Sequence, residues 1–283
     1  MKYVVSGGAG FIGSNLVDKL IELGHQVLVW DNLSLGKEEN IHDKAEFAEV
    51  DIRDLHFDKI EDYEDADAIF HLAALPRIQP SFKYPNKTFD INVRGTINVL
   101  SIAKKYGIKV IYAGSSSFYH DPYVNPYSFT KWQGEECCKM YNVVYGVPVA
   151  IARFFNVYGP RQITEGEYAT VIGIFENQKK NNKNLTVTGD GNKRRDFTHV
   201  QDIVSGLIAM SKDKWNGEVF NLGSGINYSI NELANMFESK IEYIPERPGE
   251  AQTTLADITF SREKLNWNPQ YSLEKYVKEA IAV

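Results

Sequence analysis

Lys2-Tyr3-Val4-Val5-Ser6-Gly7-Gly8-Ala9-Gly10-Phe11-Ile12-Gly13 is the stretch that decides the fold of this 283-residue chain. Its first five residues centre on Tyr3, Val4 and Val5, apolar and β-branched in part, as in a buried strand of a parallel sheet. Glycines follow at 7, 10 and 13, and Ile12, Leu16, Val17, Leu20, Ile21 and Leu23 then recur at helical spacing up to Gly24. Strand, glycine turn and helix in this order are the context that confirms a dinucleotide fingerprint. Glycines let the backbone approach a pyrophosphate, whose charge rests on the free amides and dipole of the helix start.

Working outward, His25–Trp30 reads as the second strand, and Asp31 stands at its carboxyl end. A carboxylate there accepts hydrogen bonds from adenosine ribose hydroxyls and repels a 2′-phosphate, which favours NAD over NADP. Short apolar runs at Glu46–Val50, Ala68–Leu72, Lys109–Ala113 and Val147–Ala152 alternate with helical patterns, notably Asn86–Tyr106 and Tyr127–Tyr145. That rhythm predicts an α/β fold with a Rossmann-type, doubly wound parallel sheet, its ligands at the carboxyl ends of the strands. Beyond Pro160 the elements become short and mixed. The expected division is an NAD-binding domain over 1–160, with 190–215 packing back on it, and a smaller mixed α/β substrate lobe over 161–283.

The second informative stretch is Tyr127-Ser128-Phe129-Thr130-Lys131. A Tyr and a Lys four apart share one helix face. An ammonium beside a phenol favours the phenolate, so such a pair can take a proton from an alcohol while hydride leaves the same carbon.

Composition narrows the field. The formal charge of −6 carries no basic block, so nucleic acid is not an expected partner. Charged residues make up 24% without a low-complexity run, which argues against disorder. No apolar stretch has membrane length and the chain opens on a strand, so the expected compartment is the cytosol, with no membrane partner. Cys137 and Cys138 are the only cysteines, and adjacent thiols on a helix suit packing better than a disulfide. No gathering of histidines and carboxylates has metal spacing, so no catalytic metal is expected.

The Gly-x-x-Gly-x-x-Gly spacing, taken with Tyr127 and Lys131, resembles the extended short-chain dehydrogenase/reductase superfamily, and within it the NAD-dependent nucleotide-sugar epimerase/dehydratase family. The resemblance runs over nearly the whole chain and implies NAD as cofactor. It implies cofactor contacts from Gly7, Gly10, Phe11, Ile12, Gly13, Asp31 and Asn32, from Asp51 and Ile52 at the adenine edge, and from Leu72, Ala73 and Ala74. Asn92 would lie beside the ribose, with Lys131 on the nicotinamide ribose and Tyr127 as general base and acid. Matching Tyr119 to the family's Val-Tyr-Gly tyrosine places Ser115 on its proton-relaying hydroxyl. Substrate would meet Ser115, Ser117, Asn156, Arg195, Arg247 and Glu250. A homodimer is implied, with Leu100, Ile102, Ala103, Cys137, Cys138 and Met140 as one source of its face and core packing as their other explanation.

Serines at 116 and 117 narrow the reaction, because the family's dehydratases and decarboxylases carry acids after that hydroxyl. One acid/base centre suffices for a 4-epimerase, acting on UDP-glucose/UDP-galactose or an N-acetylhexosamine. The rival readings are a decarboxylase, a dehydratase, an epimerase at another carbon or a keto-sugar reductase. Only twelve positions separate Ser115 from Tyr127, about half the family interval, and either a wider pocket or the loop Ile163–Tyr168 takes up the difference. Thr254, small where some relatives carry Tyr, leaves room for an N-acetyl group.

Overall fold

The computed structural model describes residues 1–54 and 63–282. Its centre is a seven-stranded sheet whose strands all run parallel, ordered β11-β6-β5-β4-β1-β2-β3. These strands are β1 (Lys2–Ser6), β2 (Gln26–Asp31), β3 (Glu46–Glu49), β4 (Ala68–His71), β5 (Lys109–Ser115), β6 (Val149–Phe154) and, much later in the chain, β11 (Asn216–Leu222). The order reverses between β1 and β4, and a ligand crevice is expected outside such a switch point.

Among the described residues, five α-helices accompany the first six strands: α1 (Phe11–Glu22), α2 (Ile78–Lys83), α3 (Pro85–Phe89), α4 (Thr96–Tyr106) and α5 (Pro126–Tyr145). The pattern expected over 86–106 is interrupted at Asp90–Gly95, where a π-helical turn joins α3 to α4. Both long helices stop at a left-handed glycine, Gly107 after α4 and Gly146 after α5.

The remaining elements are β7 (Val157–Tyr158), α6 (Val171–Lys180), β8 (Leu185–Thr188), β9 (Arg194–Asp196), β10 (Thr198–His199), α7 (Val200–Met210), β12 (Asn227–Ser229), α8 (Ile230–Met236), β13 (Ile241–Ile244), α9 (Thr259–Leu265) and α10 (Leu273–Ile281). The strands among them form three two-stranded sheets, β10-β7, β12-β9 and β13-β8.

Three hydrophobic cores hold these layers. On one sheet face Leu16, Val17 and Leu20 of α1 pack with Ile203, Val204, Leu207 and Met210 of α7. On the other, Val99, Leu100 and Ala103 of α4 pack with Cys138 and Tyr141 of α5. A third core gathers Phe175, Leu185, Val187, Phe197, Leu233, Phe237 and Val277. Leu100, Ala103 and Cys138 are fully buried in the second core, so they cannot form an outer face. The apolar surface of α5 is instead Met140, Val143 and Val144, all exposed. Among the described residues, no helix is long and apolar enough to cross a membrane.

Candidate active site

A cavity of about 520 Å³ lies along the carboxyl ends of β1, β2, β4, β5 and β6. Its floor is the glycine turn. A Cβ on Gly13 would stand 2.1 Å from the Gly7 carbonyl oxygen, and one on Gly7 2.8 Å from the Ala73 amide nitrogen. Gly7 also has φ +75, which side chains disfavour. Gly10 caps α1 without a side-chain hydrogen bond, leaving amides of the first turn free for an anion. Backbone brought this close, with free helix amides and an acid nearby, fits a dinucleotide.

The acid is Asp31, only 8% exposed. It accepts from the amides of Ala9 (3.1 Å) and Leu33 (2.8 Å), which fix its carboxylate at the crevice wall. Burial raises its pKa against those hydrogen bonds. Asp51 is bound by Arg53 at 2.6 Å and by the Asn32 amide at 2.8 Å, and the Arg53 guanidinium holds its carboxyl far below the usual range. Gly7, Gly10, Phe11, Ile12, Gly13, Asp31, Asn32, Asp51, Ile52, Leu72, Ala73 and Ala74 all line the cavity.

Asn92 does not. It is 1% exposed, and its amide is spent on Leu75, accepting from the nitrogen at 2.7 Å and donating to the oxygen at 3.2 Å, with a further bond to Thr130. In this structure Asn92 thus braces the Leu75 segment of the wall through its backbone. His71 is likewise internal, bridging Ser6 and Thr96, and burial lowers its pKa to about 3.

The start of α5 is fixed by its cap. Asn125 accepts from the Ser128 amide at 2.7 Å and Pro126 occupies the first turn. Tyr127 and Lys131 then face the cavity one turn apart. The Tyr127 hydroxyl lies 3.4 Å from Ser115 Oγ, at the end of β5. Ser117 donates to the same oxygen from its hydroxyl (2.9 Å) and its amide (3.2 Å), so the Ser115 proton is free to point at a ligand. Lys131 is 5% exposed, with its ammonium 4.3 Å from the Tyr112 ring centroid.

One expectation changes here. Burial is the largest influence on Tyr127 and raises its pKa; the opposing influences are the Ser115 hydrogen bond and the charge of Arg77, not of Lys131. Burial also lowers Lys131, to about 8. Arg77 escaped the sequence reading, because a lone arginine after a strand carries no spacing signal.

Across the cavity stand Ser115, Ser117, Asn156, Arg195, Arg247 and Glu250. Asn156 donates to Thr254 Oγ1 at 3.1 Å and to the Asp196 carbonyl at 2.9 Å. Arg195 and the buried Lys193 approach Glu250 at 3.7 and 3.8 Å. Lys193 too was missed, since its burial is set by chain packing that local sequence does not reveal. Over the short 115–127 segment, Ile163, Glu167 and Tyr168 line the cavity, and Arg77 Nε donates to the Tyr168 carbonyl at 3.0 Å. The 163–168 loop thus contributes part of the cavity wall. Among the described residues no cluster could hold a metal ion.

Comparison with known proteins agrees with this geometry. Residues 3–223 match the model of the NAD dependent epimerase/dehydratase family. A provisionally named UDP-glucose 4-epimerase of Methanocaldococcus jannaschii is 38% identical, over 98% of this chain and 96% of its own. UDP-glucuronic acid decarboxylase 1 of Arabidopsis thaliana is 35% identical, over 100% of this chain and 69% of its own. The crystal structure of the UDP-glucose 4-epimerase of Thermotoga maritima with UDP-glucose superposes with a TM-score of 0.94 at 33% identity, over 100% of this chain and 98% of that one.

Proposed function

The chain belongs to the NAD dependent epimerase/dehydratase family, an NAD-dependent nucleotide-sugar enzyme, and from that premise we propose that it is a UDP-sugar 4-epimerase. Hexoses of the glucose/galactose configuration, plain or N-acetylated, are its proposed substrates. The observation that carries this reading is the Tyr127–Ser115 contact in a wall where positions 116 and 117 are serines, not acids. Elimination of water or loss of a carboxyl group calls for further acid/base groups, and positions 116 and 117 supply no carboxyl for them.

When NAD is bound it supplies a reversible hydride acceptor, so the sugar ends at its original oxidation level. Gly7, Gly10, Gly13 and Asp31 would hold it, with Lys131 on the nicotinamide ribose. Tyr127 takes the proton of the C4 hydroxyl and later returns it, while the Ser115 hydroxyl donates to the same sugar oxygen. Arg195 and Arg247 would grip the diphosphate, since a planar guanidinium pairs with two phosphate oxygens. The small Thr254 supports room at C2. We also read the protein as a homodimer formed on the exposed α5 surface.

Incubating the purified protein with UDP-glucose, UDP-galactose and their N-acetyl forms, and following epimers by proton NMR, tests the reaction. Epimer should form without stoichiometric consumption of NADH. Tyr127→Phe should lower kcat by about 10²–10⁴-fold. Absence of epimer from every UDP-sugar, or full activity in Tyr127→Phe, would overturn the proposal.

A further inference from the structure

Asn125 is 4% exposed, just ahead of α5, and its one amide group bonds in two directions. The oxygen accepts from the Ser128 amide at 2.7 Å and caps the helix that carries Tyr127. The nitrogen donates to the Gly249 carbonyl at 3.1 Å, in the turn between Arg247 and Glu250. With a donor on one side and an acceptor on the other, the amide has a single orientation. Capping alone would be served as well by Asp or Ser. An aspartate has no proton for Gly249, and a serine hydroxyl is too short to bridge both partners.

A second link runs through α2. Gln79 Nε2 donates to the Pro248 carbonyl at 3.0 Å, and two residues on, Ser81 Oγ accepts from the Tyr127 amide at 3.1 Å. Ser81 is 1% exposed and gives its own proton to the Ile78 carbonyl at 2.6 Å. The carbonyls of Pro248 and Gly249 are therefore tied, through two side chains and one short helix, to the successive amides of Tyr127 and Ser128. Gly249 permits the approach: its φ is +75, and a Cβ there would lie 3.1 Å from Phe82 Cζ and 3.5 Å from Asn125 Cβ. Arg247, Gly249 and Glu250 line the cavity, whereas Asn125 stands behind its wall.

We propose that Asn125 is a positioning residue, which couples the seating of the nucleotide diphosphate on the 247–250 turn to the placement of Tyr127 against the sugar. The inference rests on the UDP-sugar reading of the site. A diphosphate drawn onto Arg247 displaces the Pro248 and Gly249 carbonyls, and the donors they hold pass that displacement to the start of α5. The Tyr127 hydroxyl lies 3.4 Å from Ser115 Oγ, long for a bond between hydroxyls, so a small shift of the helix start alters it strongly. Coupling between two sites is reciprocal, so a well-placed Tyr127 also favours the occupied turn.

Hydrogen exchange reads this coupling without turnover. UDP carries no hexose, so it reaches the 247–250 turn and not the Tyr127 hydroxyl. In the NAD-saturated wild type, saturating UDP should slow exchange of the Tyr127 and Ser128 amides by about tenfold. Asn125→Asp and Asn125→Ser keep an oxygen cap and should melt close to the wild type, yet in both that slowing should fall to about twofold or less. Their kcat on a UDP-sugar should fall by about tenfold, with a smaller change in KM. Asp caps as well as Asn, so that variant carries the test if the serine variant folds poorly. A wild type that binds UDP without slowing these amides overturns the proposal. So does slowing that survives in both variants, which marks Asn125 as a helix cap and no more. Failure to bind UDP removes the UDP-sugar reading and this inference together, whereas absence of epimer with the slowing intact removes the reaction alone.

Discussion

Lys131 illustrates what a reacting group costs the fold that carries it. Its ammonium is buried and its pKa falls from the ordinary 10.5 to about 8. Below pH 8 both folded and unfolded chains hold the proton, and the full penalty of burying the charge is present. Between about 8 and 10.5 the folded chain releases it first, so this penalty fades as pH rises. Lys131→Met should therefore stabilise the protein at pH 7 by roughly 1–3 kcal/mol, less than the bare shift implies because the Tyr112 ring contact is lost. Urea titrations at pH 7 and pH 10 check the sign, and the gain should shrink at the higher pH while activity is lost at both. Equal stability at pH 7 would show that the ammonium is better solvated than its burial suggests. At this scale the sequence was legible where spacing repeats a chemical requirement, as with Tyr127, Lys131 and the three glycines. It was silent on Arg77 and on the burial of Asn92, because neither burial nor the direction of a side chain is written in spacing.

Among the elements, β5, β6 and α5 are tied together by one ion pair. Glu135 of α5 holds Arg153 of β6 at 2.7 Å, both nearly without exposure, and the guanidinium lies 3.3 Å from the Phe118 ring centroid. Phe118 belongs to the turn that follows Ser115, so the pair anchors the short segment between Ser115 and Tyr127. Removing one partner leaves an uncompensated buried charge, and Glu135→Ala should cost about 3–5 kcal/mol in urea unfolding. Replacing both residues by methionine should recover most of that loss. If Glu135→Ala costs under 1 kcal/mol, water reaches Arg153 and the anchor is not there. The strands and long helices of the first half emerged from the sequence within a few residues, since alternating apolar runs and helical periodicity are local signals. The last strand of the central sheet did not: β11 joins β6 from more than sixty residues away, and its seven residues, Asn216–Leu222, look like any short run. Likewise, the place of Ile163, Glu167 and Tyr168 in the cavity wall was legible only as one of two outcomes of a short segment.

For the whole molecule, the open question of surface is where the apolar exposure sits. Met140, Val143 and Val144 are exposed on α5, and near its start Phe129 packs at a tilt against Phe89 and Tyr123, and Trp132 against Tyr123 and Phe129. A contiguous face of this kind on a helix that also builds the catalytic wall suits pairing with a second copy. Light scattering behind a sizing column should give the mass of a dimer, and Met140→Glu with Val144→Glu should shift it toward the 32.1 kDa monomer. A wild type that runs as a monomer at micromolar concentration would dismiss the pairing.

The π-helical turn at Asp90–Gly95 has a consequence for how the chain evolves. A regular helix advances about 100° per residue, so one extra residue in a turn re-phases everything beyond it. Ahead of the turn Phe89 looks toward Phe129, inside it Asn92 grips Leu75, and just after it Thr96 reaches His71. Three different neighbours are thus served by one continuous rod, each at its own bearing. Deleting a single residue here would swing Asn92 off Leu75, which itself lines the crevice, while leaving α4 helical, a lesion that circular dichroism would overlook and cofactor retention would expose.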